Sequence, residues 1–388
     1  ARARWILRRM ARQDTLDGRA LDAALAERIT LAAGTTQALA PHFVQMVLAA
    51  RPARASRIVT TLDAALQRDI EGIVAAHRAQ LDAAGARHVA VTVLDNRTGE
   101  WLAWEGSGAF GSPDQGAING PVAPRQPGSA LKPFTYALAF DNGFDPASQL
   151  PDIPTEFPTA EPGVSYRPEN YDGRYRGPML ARAALAGSEN VPAVALAAGL
   201  GVPRLQRLLA RAGFTTFDRS ASHYGLGLTL GNAEVRLDEL VAAYAGLAAG
   251  GTRRAARSVI EIDGRPVAAD ASPERFVSYR AAWWITDILS DPEARAYSFG
   301  RGNVLEFPFP VAVKTGTSQA YRDNWVIGYT RDVTVGVWAG NFDRTPLRAT
   351  LAEIRGAPDH PLRRALPSLD MVLTYGGGDP VVAAYRAL

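Results

Sequence analysis

Gln126-Pro-Gly-Ser-Ala-Leu-Lys-Pro-Phe134 is the stretch on which the reading of this 388-residue chain turns. Pro127 and Gly128 end an irregular segment, and the apolar run beyond them predicts a helix with Ser129 in its first turn, the place where Pro133 is tolerated. Upstream lies strand. Val89 to Leu94 alternates apolar with small or polar residues, Asn96-Arg-Thr-Gly99 is a turn, and Glu100 to Glu105 is apolar again, a hairpin signal. Downstream, a mostly helical block is predicted from Ala130 to about Ser290, interrupted by a Pro-, Tyr- and Gly-rich loop from Leu150 to Pro178. Strand patterns return at Val311–Thr315, Trp325–Thr330 and Val333–Gly340. Strands, a long helical insertion and three more strands predict an α+β domain whose antiparallel five-stranded sheet closes up from both ends of the chain and is flanked by helices. That order brings the head of the helical block to the third strand.

Three motifs on this frame carry chemistry. Ser129 and Lys132 lie three apart on one helix face. A serine hydroxyl is a poor nucleophile without a neighbouring base, and a lysine amine serves if burial or a nearby cation keeps it neutral. In Ala186-Gly-Ser-Glu-Asn-Val-Pro-Ala193 helix-like residues stop at Gly187 and resume after Pro192, with Ser188 and Asn190 on the same side of the loop. Ser188 there can relay a proton between Lys132 and a leaving amine, and the Asn190 amide can bind a substrate carbonyl and the lysine. Val311-Ala-Val-Lys-Thr-Gly-Thr-Ser318 ends a strand in a cation, hydroxyls and a residue without a side chain. It suits a carboxylate-bearing peptide laid along a strand edge: Lys314 attracts the anion, Thr315 and Thr317 bind it, and Gly316 lets the peptide backbone approach, with Ser318 following. The backbone N–H groups of Ser129 and Thr317 together would make an oxyanion hole. Each motif alone is ordinary, a helix end, a helix cap or a turn; the three in this order and context are not.

In these motifs the chain resembles the penicillin-binding proteins, class A, and their transpeptidase part. The resemblance extends over most of the sequence, through Tyr166-Arg-Pro-Glu-Asn-Tyr-Asp-Gly173, Gly225-Leu-Gly-Leu-Thr-Leu-Gly231 running into Glu234 and Tyr244, and Arg322-Asp-Asn-Trp325. Leu131-Lys-Pro133 and Val337-Trp-Ala-Gly-Asn341 are most similar to the type 1C subgroup. It implies the penicillin-binding/β-lactamase-like serine transpeptidase fold and a DD-transpeptidase. Ser129 would attack the penultimate carbonyl of a D-Ala-D-Ala stem peptide with Lys132 as base, D-Ala would leave protonated through Ser188, and an amine of a neighbouring stem would take the acyl group. β-Lactams would acylate the same serine. The expected partners are peptidoglycan stem peptides and β-lactams, with no cofactor and no metal, in the periplasm at the inner membrane.

The rivals are a DD-carboxypeptidase with water as acceptor; a β-lactamase, for which Glu234-Val-Arg-Leu-Asp238 offers only a superficial likeness to a deacylating Glu loop; and a non-catalytic β-lactam sensor or scaffold, against which the intact Ser188 and Asn190 argue. A Ser-His-Asp hydrolase fails on inventory, because the five histidines accompany no Gly-x-Ser-x-Gly elbow. Gly225 and Gly227 make no dinucleotide fingerprint, lacking the acidic residue in a strand-helix-strand setting. Trp101, Trp104, Trp325 and Trp338 read as sheet packing.

Composition agrees. With 47% hydrophobic residues the chain can bury a large core; the net charge of +3 is a weak case for nucleic acid; zero cysteines exclude disulfides, thiolate metal sites and a Cys nucleophile. No stretch reaches the roughly 18 apolar residues of a membrane span. Residues 1–57, with Arg2, Arg4, Arg8, Arg9 and Arg12 at their head and two or three short helices, are expected to be a linker following an absent, membrane-anchored glycosyltransferase domain. The chain opens in mid-helix without Met, as a fragment would, and carries none of the acidic motifs that a lipid II glycosyltransferase needs. Thr61 or Asp63 is placed to cap a helix reaching about Ala84. Residues 58–345 are expected to form the catalytic domain and 346–388 a tail without readable chemistry.

Overall fold

The computed structural model describes residues 2–13, 15, 17–26, 38–50, 55–159, 163–268, 272–303 and 305–347. Most of the expected tail, from 348 on, lies outside them. The chain divides into two compact units, residues 1–38 and 39–388. The first holds two helices, Arg2–Arg12 and Gly18–Ala26, the second capped by Asp17, whose carboxylate accepts from the Ala20 N–H at 2.7 Å. No helix among the described residues is long and apolar enough to cross a membrane.

The larger unit is built on a five-stranded sheet of β1 (His88–Asp95), β2 (Trp101–Glu105), β3 (Ala312–Thr317), β4 (Asp323–Tyr329) and β5 (Val333–Gly340). The order is β3-β4-β5-β1-β2, antiparallel throughout, so the last strands of the domain dock onto its first through β5 and β1, with Val333 opposite Asp95 and Gly340 opposite His88. β3 is an edge. Both faces are covered, which explains why β1 is buried along nearly its whole length. Val89, Val91 and Val93 share a core with Leu66, Ile70 and Val74 of α1 (Ala64–Ala76), and Ala90 and Leu94 on the other face share one with the helical block. Asp63 caps α1, accepting from the Ala65 and Leu66 N–H groups at 2.8 and 3.1 Å. The helix expected to reach Ala84 breaks at His77 and resumes as Arg78–Ala83.

The helical block packs on the opposite face through α2 (Lys132–Phe140), α3 (Asn190–Leu200), α4 (Leu237–Ala248) and α5 (Tyr279–Ser290). α2 is buried at every residue, and α4 lies so close to β5 that a Cβ at Gly336 would stand 2.2 Å from Val241. Helix Pro41–Ala50 joins this core through Phe43, whose ring sits 5.9 Å from that of Trp104. Two stretches differ from expectation. Within the helical block, Thr252–Arg253 pairs with Glu274–Arg275, and Val259–Ile262 bridges Ile58–Thr60 and Arg265–Pro266, small sheets whose two- to four-residue strands are too short for an alternation to register. The loop between Leu150 and Pro178 likewise carries two small hairpins, Gln149–Asp152 with Gly177–Leu180 and Phe157–Pro158 with Ser165–Tyr166.

Candidate active site

Ser129 lies in a tight 3₁₀ turn, Gly128–Leu131, that runs straight into α2. Three anchors fix the turn. The fully buried Tyr244 of α4 donates its hydroxyl to the Ala130 carbonyl at 2.6 Å; Trp325 of β4 donates its indole N–H to the Gln126 carbonyl at 2.8 Å; and the Gln126 amide donates to the Asn232 carbonyl at 2.8 Å. Against the turn runs the edge strand β3, and the approach is backbone to backbone. A Cβ on Gly128, which has φ +54°, would stand 2.1 Å from the Thr317 carbonyl oxygen, and one on Gly316 would stand 2.2 Å from that of Pro127. The Thr317 amide nitrogen is also close, at 2.8 Å from the Gly128 Cβ position.

The structure brings Lys132, Ser188, Asn190 and Lys314 together, and Ser188 and Asn190 line one cleft with Ser129. Lys132 is completely buried. Its ammonium donates to the Ser188 carbonyl, to Asn190 Oδ1 at 2.6 Å and, more weakly, to Ser188 Oγ at 3.4 Å. Lys314, also buried, donates to the same Ser188 Oγ at 2.8 Å and to the Thr315 carbonyl at 2.8 Å. One hydroxyl therefore bridges two buried amines. Ser188 holds this place in the left-handed region, φ 65°, a conformation that costs a non-glycine residue about 1–3 kcal/mol and persists only where its surroundings enforce it.

A loop read in the sequence but given no role there does much of that enforcing. Asn170, buried within Tyr166–Gly173, accepts from the Asn190 and Val191 N–H groups at 2.9 and 3.2 Å and donates to Asp152 Oδ1 at 2.6 Å. It caps α3 from a distance, so the helix begins at Asn190 and runs through Pro192, whereas the sequence suggests a restart after that proline. The Glu169 carbonyl accepts from Asn190 Nδ2 at 2.7 Å, so one amide donor expected to face a substrate carbonyl serves the scaffold, and one remains. Glu189, between the two motif residues, is buried against Arg176 at 3.2 Å and the Tyr297 hydroxyl at 3.0 Å; its burial pushes the carboxyl pKa up despite the arginine.

These groups open onto a cleft of about 1350 Å³ lined by Ser129, Ser188, Asn190, Thr317 and Ser318, among others. Thr315 is buried and does not line the cleft, and its hydroxyl has no hydrogen-bond partner among the described residues. Ser318 lines it, but its hydroxyl donates to Asp323 Oδ2 and accepts from the Asp323 N–H, both at 2.9 Å. Burial raises the Asp323 carboxyl, and the Trp338 indole N–H at 3.0 Å and the Ser318 hydroxyl oppose the shift. Trp325 and Trp338 thus each anchor a polar partner as well as packing the sheet.

The penicillin binding protein transpeptidase domain, as a family, matches residues 89–353. Penicillin-binding protein 1C of Escherichia coli K12 is 34% identical over 345 residues, covering 88% of this chain and 42% of that protein. Penicillin-binding protein 1A of Neisseria meningitidis serogroup A is 32% identical over 266 residues, 66% of this chain and 32% of that one. The chain spans less than half the length of these curated relatives. Among solved structures, penicillin-binding protein PonA1 from Mycobacterium tuberculosis superposes with a TM-score of 0.66 at 22% identity, covering 86% of both chains. Penicillin-binding protein 1A from Haemophilus influenzae does so with 0.68 at 17% identity, covering 99% of this chain and 74% of that one. At these identities the structures speak for the fold, while the sequence relatives and the family match decide membership: the chain belongs to the penicillin-binding protein transpeptidase family, in a form similar to its class A members.

Proposed function

We propose that this chain is a serine DD-transpeptidase that takes D-Ala-D-Ala stem peptides as acyl donors, passes the acyl group to an amine of a neighbouring stem, and is acylated on the same serine by β-lactams. The observation that carries this is the Ser188 hydroxyl held between Lys132 and Lys314, in the cleft that Ser129 also lines. Two buried amines sharing one acceptor favour a neutral amine on one of them, which is the base a serine hydroxyl lacks.

Lys132 takes the Ser129 proton as Oγ attacks the carbonyl. The negative oxygen that forms is met by the Ser129 and Thr317 N–H groups. The proton returns through Ser188 to the leaving amine of D-Ala, whose carboxylate is held by Lys314 and Thr317, with Thr315 beneath them. Asn190 keeps Lys132 aimed and offers its second amide hydrogen to the substrate. The acyl-enzyme ester is resolved by the acceptor amine: the new amide forms, and Ser129 regains its proton. On this reading the protein works on peptidoglycan, in the periplasm.

The test is intact-mass spectrometry over hours after incubation with a labelled penicillin, on the chain and on Ser129→Ala. A persistent one-to-one adduct absent from the variant supports the transpeptidase. Rapid gain and loss of the adduct favours a β-lactamase or carboxypeptidase, and no adduct refutes the acyl-serine reading.

A further inference from the structure

A Cβ on Gly316 would point at Pro127 and Ala130, on the side of the helical block, so by the alternation of an extended strand Thr315 and Thr317 project from the opposite face of β3. Register carries that face onto β4. Thr317 stands opposite Asn324 and Thr315 opposite Val326; Val326 belongs to the core on the far side of the sheet, whereas Trp325 between them joins the core of the helical block. Thr315, Thr317 and Asn324 therefore share one face. Asn324 is the direct cross-strand neighbour of Thr317, which lines the cleft, and the diagonal neighbour of Thr315.

The polar atoms behind Thr317 are buried and unmatched. Asn324 is 9% exposed and Thr315 3%, and neither the Asn324 Oδ1 and Nδ2 nor the Thr315 hydroxyl has a hydrogen-bond partner among the described residues. On the other side of β4 the facing residue is Ala339 of β5, which brings no polar side chain. The amide has two hydrogens to donate and an oxygen that accepts, and leaving all of them unmade in the interior is costlier than placing an apolar side chain there. Asn324 and Thr315 make no direct bond, and one water held between them gives each a partner.

We infer that Asn324 is a positioning residue for the donor's carboxylate: with Thr315 it encloses one water, and this bonded group fixes the end of β3 from behind so that Thr317 is presented to the cleft. The inference rests on the acyl-transfer reading, in which Lys314 and Thr317 hold that carboxylate. β3 is an edge strand with a ladder on one side only, so its last residues depend on what braces them. Lys314 feels the same brace, because its ammonium donates to the Thr315 carbonyl at 2.8 Å. Asn324 acts through the strand and touches neither the carboxylate nor the breaking bond.

The experiment compares benzylpenicillin with its methyl ester, reading each acylation rate by intact mass. The readout is the acid-to-ester ratio within each protein, since a loss of folded protein or of Ser129 reactivity moves both rates together. The unaltered chain is expected to favour the acid. Asn324→Leu should lower the ratio roughly fivefold, the worth of one neutral hydrogen bond, and Asn324→Thr, which returns a hydroxyl to the water, should restore part of it. Thr315→Val should lower it by a similar factor, and the double variant no further than either single one, because both remove the same group. A crystal structure of the unaltered chain should show the water within hydrogen-bond distance of both side chains. A ratio unchanged in Asn324→Leu, losses that multiply in the double variant, or a crystal structure without that water overturns the inference and leaves the acyl-serine reading intact. Equal acylation of the unaltered chain by acid and ester does the same, because no carboxylate is then read at β3. Failure of the unaltered chain to be acylated by penicillin overturns both.

Discussion

Gly316→Ala probes how closely the two halves of the site must approach. The added Cβ would stand 2.2 Å from the Pro127 carbonyl oxygen, 2.9 Å from Ala130 N and 3.0 Å from Ala130 Cβ. Backbone atoms on both sides leave no flexible side chain to give way, so β3 and the Ser129 turn must separate by at least 0.8 Å before the first contact reaches the 3.0 Å that real Cβ atoms tolerate. The displacement falls between Ser129 and Thr317, the two ends of the proposed oxyanion hole. A misplacement of about 1 Å in a catalytic constellation costs roughly 100-fold in rate, whereas overpacking at one residue costs about 1–3 kcal/mol of stability. Gly316 does not have positive φ, so the effect is steric and free of backbone strain. The assay is the pseudo-first-order rate of labelled-penicillin attachment, with a thermal melt to show that the variant is folded. A folded Gly316→Ala that is acylated within threefold of the unaltered rate would refute the reasoning.

Ser188→Ala and Ser188→Gly both remove the hydroxyl between the lysines and should slow acylation by about 10²-fold or more; with φ at 65°, the glycine variant should be the more stable by about 1 kcal/mol, and the reverse order of melting temperatures would count against strain at this position. Gly72 is exposed in the middle of α1 with nothing near its Cβ position, so Gly72→Ala should raise stability by up to about 1 kcal/mol in urea denaturation without touching acylation; a lower midpoint would show that the helix does not stand as described. Burial lowers the pKa of His42, which faces Glu105, and of His88, which faces Asp114, Arg87 and Arg78. Groups depressed in the folded state bind protons more readily once unfolded. Their contribution is therefore complete above the unfolded value near 6.5 and is lost as pH falls through it toward the folded values, by at most about 1.4 kcal/mol per pH unit for each histidine. Denaturation at pH 7.5 and 5.5 should show that slope, and His88→Gln should flatten it.

The five sheet strands were legible because each is buried on one or both faces and rich in β-branched residues or, in β2, tryptophan, and each matches its predicted span to within two residues. The capping role of Asp63 is a local event, set by the residues that follow it, and it too could be read. Asn170 is different: its service to α3 crosses 20 residues of irregular chain, and nothing in the neighbourhood of Asn190 announces a cap supplied from so far away. The same holds for Tyr244 and Trp325, whose hydrogen bonds to Ala130 and Gln126 span 114 and 199 positions. Among the motif residues, the sequence places Lys132, Ser188, Asn190 and Lys314 in one cluster by analogy of pattern. Only the folded chain shows that Ser188 is the shared acceptor, that Ser318 is occupied with Asp323, and that Thr315 lies below the cleft surface.

The pairing of β5 with β1 has a temporal consequence. His88 and Gly340 face each other across some 250 positions of chain, and Lys314 lies farther beyond Ser129 than the whole helical block is long. Contacts so distant form slowly and late. A ribosome adding about 5–20 residues per second needs on the order of 10 to 40 s to travel from the serine to that lysine, and throughout it Ser129 lacks the edge strand, and with it the second amine and half of the oxyanion hole that we propose. On the proposed reading the polypeptide stays chemically silent until the closing strands have emerged and found the opening ones.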